Sequence, residues 1–320
     1  MGMYEFALPK VLNAYDIKYQ RIFEYQNGYR NEIWPILTSD NQMINVTFYK
    51  REPGIIDRIN HSNAVSEYLA NLGMPTRRRF DNRILTLKNG NLITNISVYE
   101  YLPGKTIPWE AYTMAHIKLL GKTMSDMHAN LLNMSLSDFP SVYDEYKAII
   151  KRMRIYFSKT DVQNAINLKL NLKINLKKLD IWEKLLQKYK LIPNQQILHM
   201  DFVRGNILFD GIKISGILDF EKTSKGHVIV DISRTLAFLL VDCKYKPYKK
   251  TYKYFLYSGY HKRGISKDIG NNNDRNSFID MFLVYDLYKF LLHNPYESLQ
   301  LNEHYNRTKD ILIKRGVVTY

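Results

Sequence analysis

The chain has 320 residues, 45% of them hydrophobic and 24% charged, which is enough length and apolar content for two compact domains with real cores and excludes a disordered or fibrous protein. A formal charge of +15 implies attraction to anions, whether nucleic acid, membrane surface or phosphate-bearing ligand. The single cysteine, Cys243, excludes an internal disulfide and a CxxC zinc site and reads as a small buried hydrophobe in a reducing compartment.

In chain order, YQNGYRNEIWPIL carries an Asn27-Gly28 hairpin signal, and MINVTFYK (Met43 to Lys50) predicts a strand ending on Lys50. HSNAVSEYLANLG predicts a helix with Ala64, Val65, Tyr68, Leu69 and Leu72 on its apolar face, stopped by Gly73 and Pro75. A second hairpin at Asn89-Gly90 leads into a strand that runs to Leu102, where Pro103-Gly104 ends it. HIKLLGKTMSDMHANLL then predicts an amphipathic helix with Leu119, Leu120, Thr123, Met124, Met127 and Leu131 on one face. NLKLNLKINLK (167–177) alternates like a strand, yet Lys169, Lys173 and Lys177 recur every four residues. Among helical neighbours it is read as helix with a solvated lysine face. QQILHM, GNILFDG and KISGILDF predict three short strands with a turn at Asp210-Gly211, and helices follow to the C-terminus.

The expected fold is therefore α+β. A sheet-plus-helix lobe spans residues 1–102 and a larger, mainly helical lobe spans 103–320, with a cleft between lobes as the natural ligand site. The longest apolar runs, such as LAFLLV (Leu236 to Val241), fall far short of the ~20 residues that a membrane helix needs. MGMYEFALPK carries neither a secretory leader nor a myristoylation signal, so a cytoplasmic protein without a membrane partner is expected. The basic residues are spread along the chain, without a zinc, RRM or KH signature, so nucleic acid is not the expected partner.

ILHMDFVRGNILFDGIKISGILDFE (Ile197 to Glu221) places Asp201, Asn206 and Asp219 among clean apolar runs. Phosphoryl transfer needs a carboxylate to orient and accept the proton of the attacking hydroxyl, and oxygen ligands to hold magnesium on the phosphates. His199, Asp201 and Asn206 form H-x-D-x-x-x-x-N, and Asp219 follows thirteen residues later in ILDF, the spacings of a kinase catalytic loop and its metal aspartate. Read without that chemistry, Asp201 and Asn206 are turn residues and Asp219 a helix cap. His199 has no proton to move in such a reaction and is assigned a structural hydrogen bond.

The segment resembles the aminoglycoside phosphotransferase and choline kinase-like superfamily, whose catalytic loop reads H-G-D-x-x-x-x-N and whose metal aspartate lies in an I-D-F or I-D-W strand. VYEYLPGKTI, GKTMSDMHANL and GHVIVDISRTLAFLL resemble that family's linker, its L-x-x-L-H helix and the helix after its metal site. The resemblance implies a two-lobed protein-kinase-like fold and an ATP- and Mg2+-dependent kinase acting on a hydroxyl of a small molecule, such as an amino sugar or amino alcohol. It implies Asp201 as catalytic base, Asn206 and Asp219 as metal ligands, Lys50 as the phosphate-binding lysine, and Glu100 to Leu102 as the adenine-binding hinge. Asp231 is either a brace for the catalytic loop or a plain helix N-cap. Arg204, as in the D-x-x-R-x-N form of the homoserine kinases, either neutralises phosphate charge in catalysis or pairs with an acidic neighbour.

The chain departs from the family in two places. Only Gly28 represents the glycine-rich loop, and His61, Ser62 and Asn63 stand where a glutamate should pair with Lys50, Glu67 coming later and toward solvent. A homoserine kinase-like activity, or a catalytically weak nucleotide-binding protein, are the alternatives. A monomer is expected.

Overall fold

The computed structural model describes residues 4–27, 31–90, 92–243, 246–263 and 269–320. The first part of the chain forms α1 (Leu8–Ala14), β1 (Tyr19–Ile22), β2 (Gln26–Asn27), β3 (Glu32–Thr38), β4 (Met43–Phe48), α2 (Ile55–Asn71), β5 (Leu85–Asn89) and β6 (Leu92–Glu100). The middle holds α3 (Met114–Leu131), α4 (Val142–Phe157), α5 (Thr160–Leu170), β7 (Lys173–Ile174), α6 (Lys177–Lys190) and β8 (Gln196–Leu198). It continues with β9 (Ile207–Asp210), β10 (Lys213–Ile217) and β11 (Ser224–Gly226). Helices α7 (Val228–Asp242), α8 (Tyr248–Lys253), α9 (Asn272–His293), α10 (Tyr296–Leu299) and α11 (Glu303–Lys314) precede β12 (Val318–Thr319). Two compact units result: Met1–Lys105 with Ile207–Lys222, and Thr106–Asn206 with Thr223–Tyr320.

In the first unit, an antiparallel sheet runs in the order β1-β3-β4-β6-β5, with β2 added to β3. Strand side chains alternate between faces, and here the two faces have different tasks. Trp34, Ile36, Ile44, Val46, Phe48, Ile96 and Val98 pack with Leu8, Val11 and Leu12 of α1. One residue further along the same strands, Tyr49 and Tyr99 pack instead against Ile55 and Ile59 of α2. Burying each of the larger apolar groups contributes about 1.5–3 kcal/mol.

Helix α2 starts earlier than its sequence pattern predicts, at Ile55 behind a left-handed Gly54. Its buried side carries Ile55, Ile59, Ser62, Asn63, Ser66 and Leu69, while Ala64 and Leu72, expected on the apolar face, are exposed. Ser66 and Asn63 fit inside because they have polar partners: Ser66 Oγ donates to Arg77 O at 2.6 Å, and Asn63 Oδ1 accepts from Tyr99 at 2.9 Å. The strands that flank the two Asn-Gly pairs are matched, β2 with β3 and β5 with β6. Gly28 of the first lies outside the described residues.

The second unit is mainly helical. Helix α7 is buried nearly all round and takes its N-cap from His227, whose Nδ1 accepts the Ile229 N–H at 3.2 Å. Gly121 of α3 allows a close approach, since a Cβ there would stand 2.1 Å from Phe255 O, in the π-helical turn Tyr254–Gly259. The helix expected over 167–177 is formed only at its ends, where 167–170 close α5 and Lys177 opens α6. Asn171 ends α5 in the left-handed region (φ 49°), which asparagine tolerates, and Lys173–Ile174 then pairs with Val318–Thr319. Lys169 is solvated but engaged, its Nζ 2.6 Å from Glu297 Oε1. Cys243 is buried, and its thiol pKa is pushed up to about 12 by desolvation, in keeping with a packing role. Among the described residues no helix is long and apolar enough to cross a membrane.

Candidate active site

The loop after β8 is held by buried charge. Asp231, at 0% exposure on α7, accepts the His199 N–H on Oδ2 at 2.8 Å and the Met200 N–H on Oδ1 at 2.9 Å. His128 of α3 adds a third contact, Nε2 to Asp231 Oδ2 at 3.1 Å, and its Nδ1 meets Tyr260 Oη at 2.7 Å. Of the two roles open to Asp231, the brace is the one formed, because His227 holds the cap position. Burial opposes ionisation of Asp231, but the His128 hydrogen bond and the backbone donors hold its pKa below the usual carboxylate value. With both N–H groups committed, Met200 sits at φ 62°, a conformation that a side chain makes costly and that a surrounding network must enforce.

Asp201 follows immediately and is 8% exposed. Its backbone N–H donates to His199 Nδ1 at 3.2 Å, the structural role expected for that histidine. Asn206 ends the 3-10 turn Arg204–Asn206 and folds back over Asp201, its Nδ2 donating to Asp201 O at 2.9 Å and to Oδ2 at 3.1 Å. Arg204, on the same turn, lines a small recess with Tyr112, Phe202, Phe238, Leu239 and Asp242. Burial pushes the Asp242 carboxyl up to about 6, against the pull of Arg204 and Arg307. A further buried pair, Arg234 and Asp286 (2.8 and 3.1 Å), underlies this region.

Asp219 belongs to the first unit. Gly211 (φ 58°) opens the two-residue turn of the β9–β10 hairpin, and Ile217 pairs with Ile207 at its open end. The Ile217 N–H also donates to Pro75 O at 2.7 Å, tying the hairpin to the segment after α2. Asp219, two residues on, is left-handed (φ 58°), and its Oδ1 accepts the Glu221 N–H at 3.3 Å. Glu221 in turn accepts from Asn31 Nδ2 at 2.9 Å.

The small-unit residues read from the sequence are placed as follows. Glu100 closes β6 and its N–H donates to Arg78 O at 3.0 Å, while Tyr101 N–H donates to Met43 O at 3.2 Å. Leu102 N–H has no hydrogen-bond partner among the described residues. Lys50 lies two residues past the end of β4, exposed, with its backbone N–H on Asn31 Oδ1 at 3.1 Å. Glu67 is not turned to solvent. It forms a two-point ion pair with Arg79, both contacts at 2.7 Å, which lowers its pKa through that hydrogen bond despite partial burial. Two residues around this loop escaped the sequence reading, His128 and Asp242. Only His128 left a trace, as the histidine of the L-x-x-L-H-like helix.

Residues 24–245 match the model of the phosphotransferase enzyme family, and the chain belongs to that family. It is a small-molecule kinase, a phosphotransferase with an alcohol group as acceptor. Solved structures give the same two-lobed protein-kinase-like fold. The amicoumacin kinase hAmiN, in complex with AMP-PNP, Ca2+ and Ami, is 14% identical with a TM-score of 0.70, covering 97% of this chain and 94% of its own. A microcompartment-associated aminopropanol kinase is 14% identical (TM-score 0.64; 97% and 99% covered). The GDP complex of aminoglycoside 2'-phosphotransferase-IIIa is 13% identical (TM-score 0.59; 97% and 100% covered). No curated protein matches in sequence.

Proposed function

We propose that the protein transfers the γ-phosphate of ATP, with Mg2+, to a hydroxyl of a small amino sugar, amino alcohol or related compound in the cytoplasm. The observation that carries this reading is the Asp201 loop: a carboxylate fixed by Asn206 on a segment that Asp231 clamps from beneath. That rigidity suits a reaction in which positioning and electrostatics supply most of the acceleration.

Asp201 orients the acceptor hydroxyl and takes its proton, and the Asn206 Nδ2 contact on Oδ2 keeps the carboxylate in one rotamer. Asn206 donates to Asp201 through Nδ2 alone, which leaves its Oδ1 as a hard oxygen donor, and oxygen donors of this kind, like the Asp219 carboxylate, suit Mg2+ better than a soft metal. Bound there, the ion supplies charge neutralisation on the phosphates. Arg204 contributes positive charge three residues after the base. The Glu100 carbonyl and the unpartnered Leu102 N–H pair with the adenine edge.

The test is transfer of label from γ-labelled ATP to a panel of aminoglycosides, amino alcohols, homoserine and sugars, with and without Mg2+. Metal-dependent labelling of at least one acceptor is expected. Tight nucleotide binding with no transfer across the panel would replace this reading with that of a nucleotide-binding protein.

A further inference from the structure

The family resemblance calls for a strand lysine paired with a helix acid, and this chain builds something else at that place. Strand alternation puts Tyr49, not Lys50, against α2, and the helix presents Asn63, rather than a glutamate, to the neighbouring Tyr99. The Tyr49 and Tyr99 hydroxyls share a 2.5 Å hydrogen bond, and the Tyr99 hydroxyl also bonds Asn63 Oδ1 at 2.9 Å. Arg77 completes the group from the loop after α2. Its guanidinium lies 3.8 Å over the Tyr99 ring and donates through Nη2 to Tyr49 Oη at 3.3 Å.

Two donors in this cluster are unsatisfied among the described residues: Arg77 Nε and Asn63 Nδ2, both sealed from solvent. A buried donor without an acceptor costs about 1–3 kcal/mol, so two together with a cation describe a site for an oxyanion. The electrostatics agree. Burial works against the Arg77 charge, yet Tyr49, Tyr99, Glu221 and Asp219 together hold its pKa above the ordinary value, which puts the guanidinium in the field of the proposed metal ligand. Lys50, by contrast, is exposed and has no ion-pair partner among the described residues.

We propose that Arg77, assisted by Asn63 Nδ2, is the cation that holds the phosphate chain of the nucleotide in this protein, in the place where the resemblance puts Lys50. Tyr49 and Tyr99 position it, one by hydrogen bond and the other by its ring face, and the planar fork gives two-point contact to phosphate that a lysine cannot. The inference rests on the kinase reading above but concerns only where the phosphates are held.

The experiment compares calorimetric affinities of wild type, Arg77→Gln, Arg77→Lys and Lys50→Gln for Mg–AMP-PNP and Mg–GMP-PNP, each against its own nucleoside. For the preferred base, Arg77→Gln is expected to lower triphosphate-analogue affinity at least tenfold while nucleoside affinity stays within twofold. Arg77→Lys should recover part of that loss, and Lys50→Gln should change the ratio less than threefold. Equal losses of analogue and nucleoside in both Arg77 variants would make the residue merely structural and overturn the proposal, as would a tenfold ratio change carried by Lys50→Gln instead. If the wild-type protein bound neither analogue, the ATP-dependent reading itself would fall, a result that no variant could produce.

Discussion

Replacing Asp231 by asparagine keeps the shape of the side chain and removes one acceptor. In the native structure its two oxygens accept from two buried backbone N–H groups and from the His128 ring. An asparagine offers one oxygen and one NH2, so whichever way the amide turns, at least one backbone N–H faces another donor. Losing a charge-assisted hydrogen bond costs about 1.5–3 kcal/mol, and the orphaned N–H adds about 1–3 kcal/mol, so a destabilisation of about 2.5–6 kcal/mol is expected. That is a large share of the roughly 5–15 kcal/mol stability of a typical protein. Urea unfolding followed by circular dichroism reads it as a lower midpoint at unchanged slope. The pH dependence has a definite sign. Because the folded-state pKa of Asp231 is depressed, its contribution is present above the ordinary carboxyl value of about 3.9 and is lost as pH falls through the lower folded value. Wild type should therefore lose stability on acidification more steeply than Asp231→Asn. A variant within about 1 kcal/mol of wild type at pH 7 would refute the brace.

Asp242 has the opposite sign: its pKa, raised to about 6, means that stability is greatest below the unfolded value near 3.9 and is lost as pH rises through 6. Asp242→Asn should accordingly be more stable than wild type at pH 7.5 and indistinguishable from it at pH 4, and thermal melts showing no such convergence would contradict the assignment. Gly121→Ala should destabilise the second unit by about 1–3 kcal/mol, because the new methyl meets the Phe255 carbonyl at 2.1 Å and backbone must shift to admit it. A melting temperature equal to that of wild type would show that α3 has more room than this contact allows.

The sequence reading succeeded where local pattern and local structure coincide. The paired strands flanking the Asn-Gly signals, the strand at Met43–Phe48 and the helix at Met114–Leu131 are set by pattern within a few residues. It failed where a distant partner decides. Lys173–Ile174 is a strand because Val318–Thr319 lies beside it, and α2 buries Asn63 and Ser66 because polar partners come from elsewhere in the first unit. The Asp201, Asn206 and Asp219 motif was legible because its spacing lies within one short stretch. The cap or brace question for Asp231 was not, since an aspartate near a helix start looks the same in both roles until His227 is seen to hold the cap. Arg77 was invisible for a related reason: one arginine of the Arg77-Arg78-Arg79 run is distinguished from its neighbours only by the tyrosine face it lies on.

The central claim is that Asp201 is the base of a phosphoryl transfer to a small-molecule hydroxyl. The most direct measurement is single-turnover transfer from γ-labelled ATP to an acceptor identified in the panel, for wild type and Asp201→Asn at matched, saturating nucleotide. General-base assistance is typically worth about 10²–10⁴-fold, so a rate loss of at least a hundredfold with nucleotide affinity within a few-fold of wild type is the result the account predicts. An Asp201→Asn enzyme that transfers phosphate at the wild-type rate would contradict it.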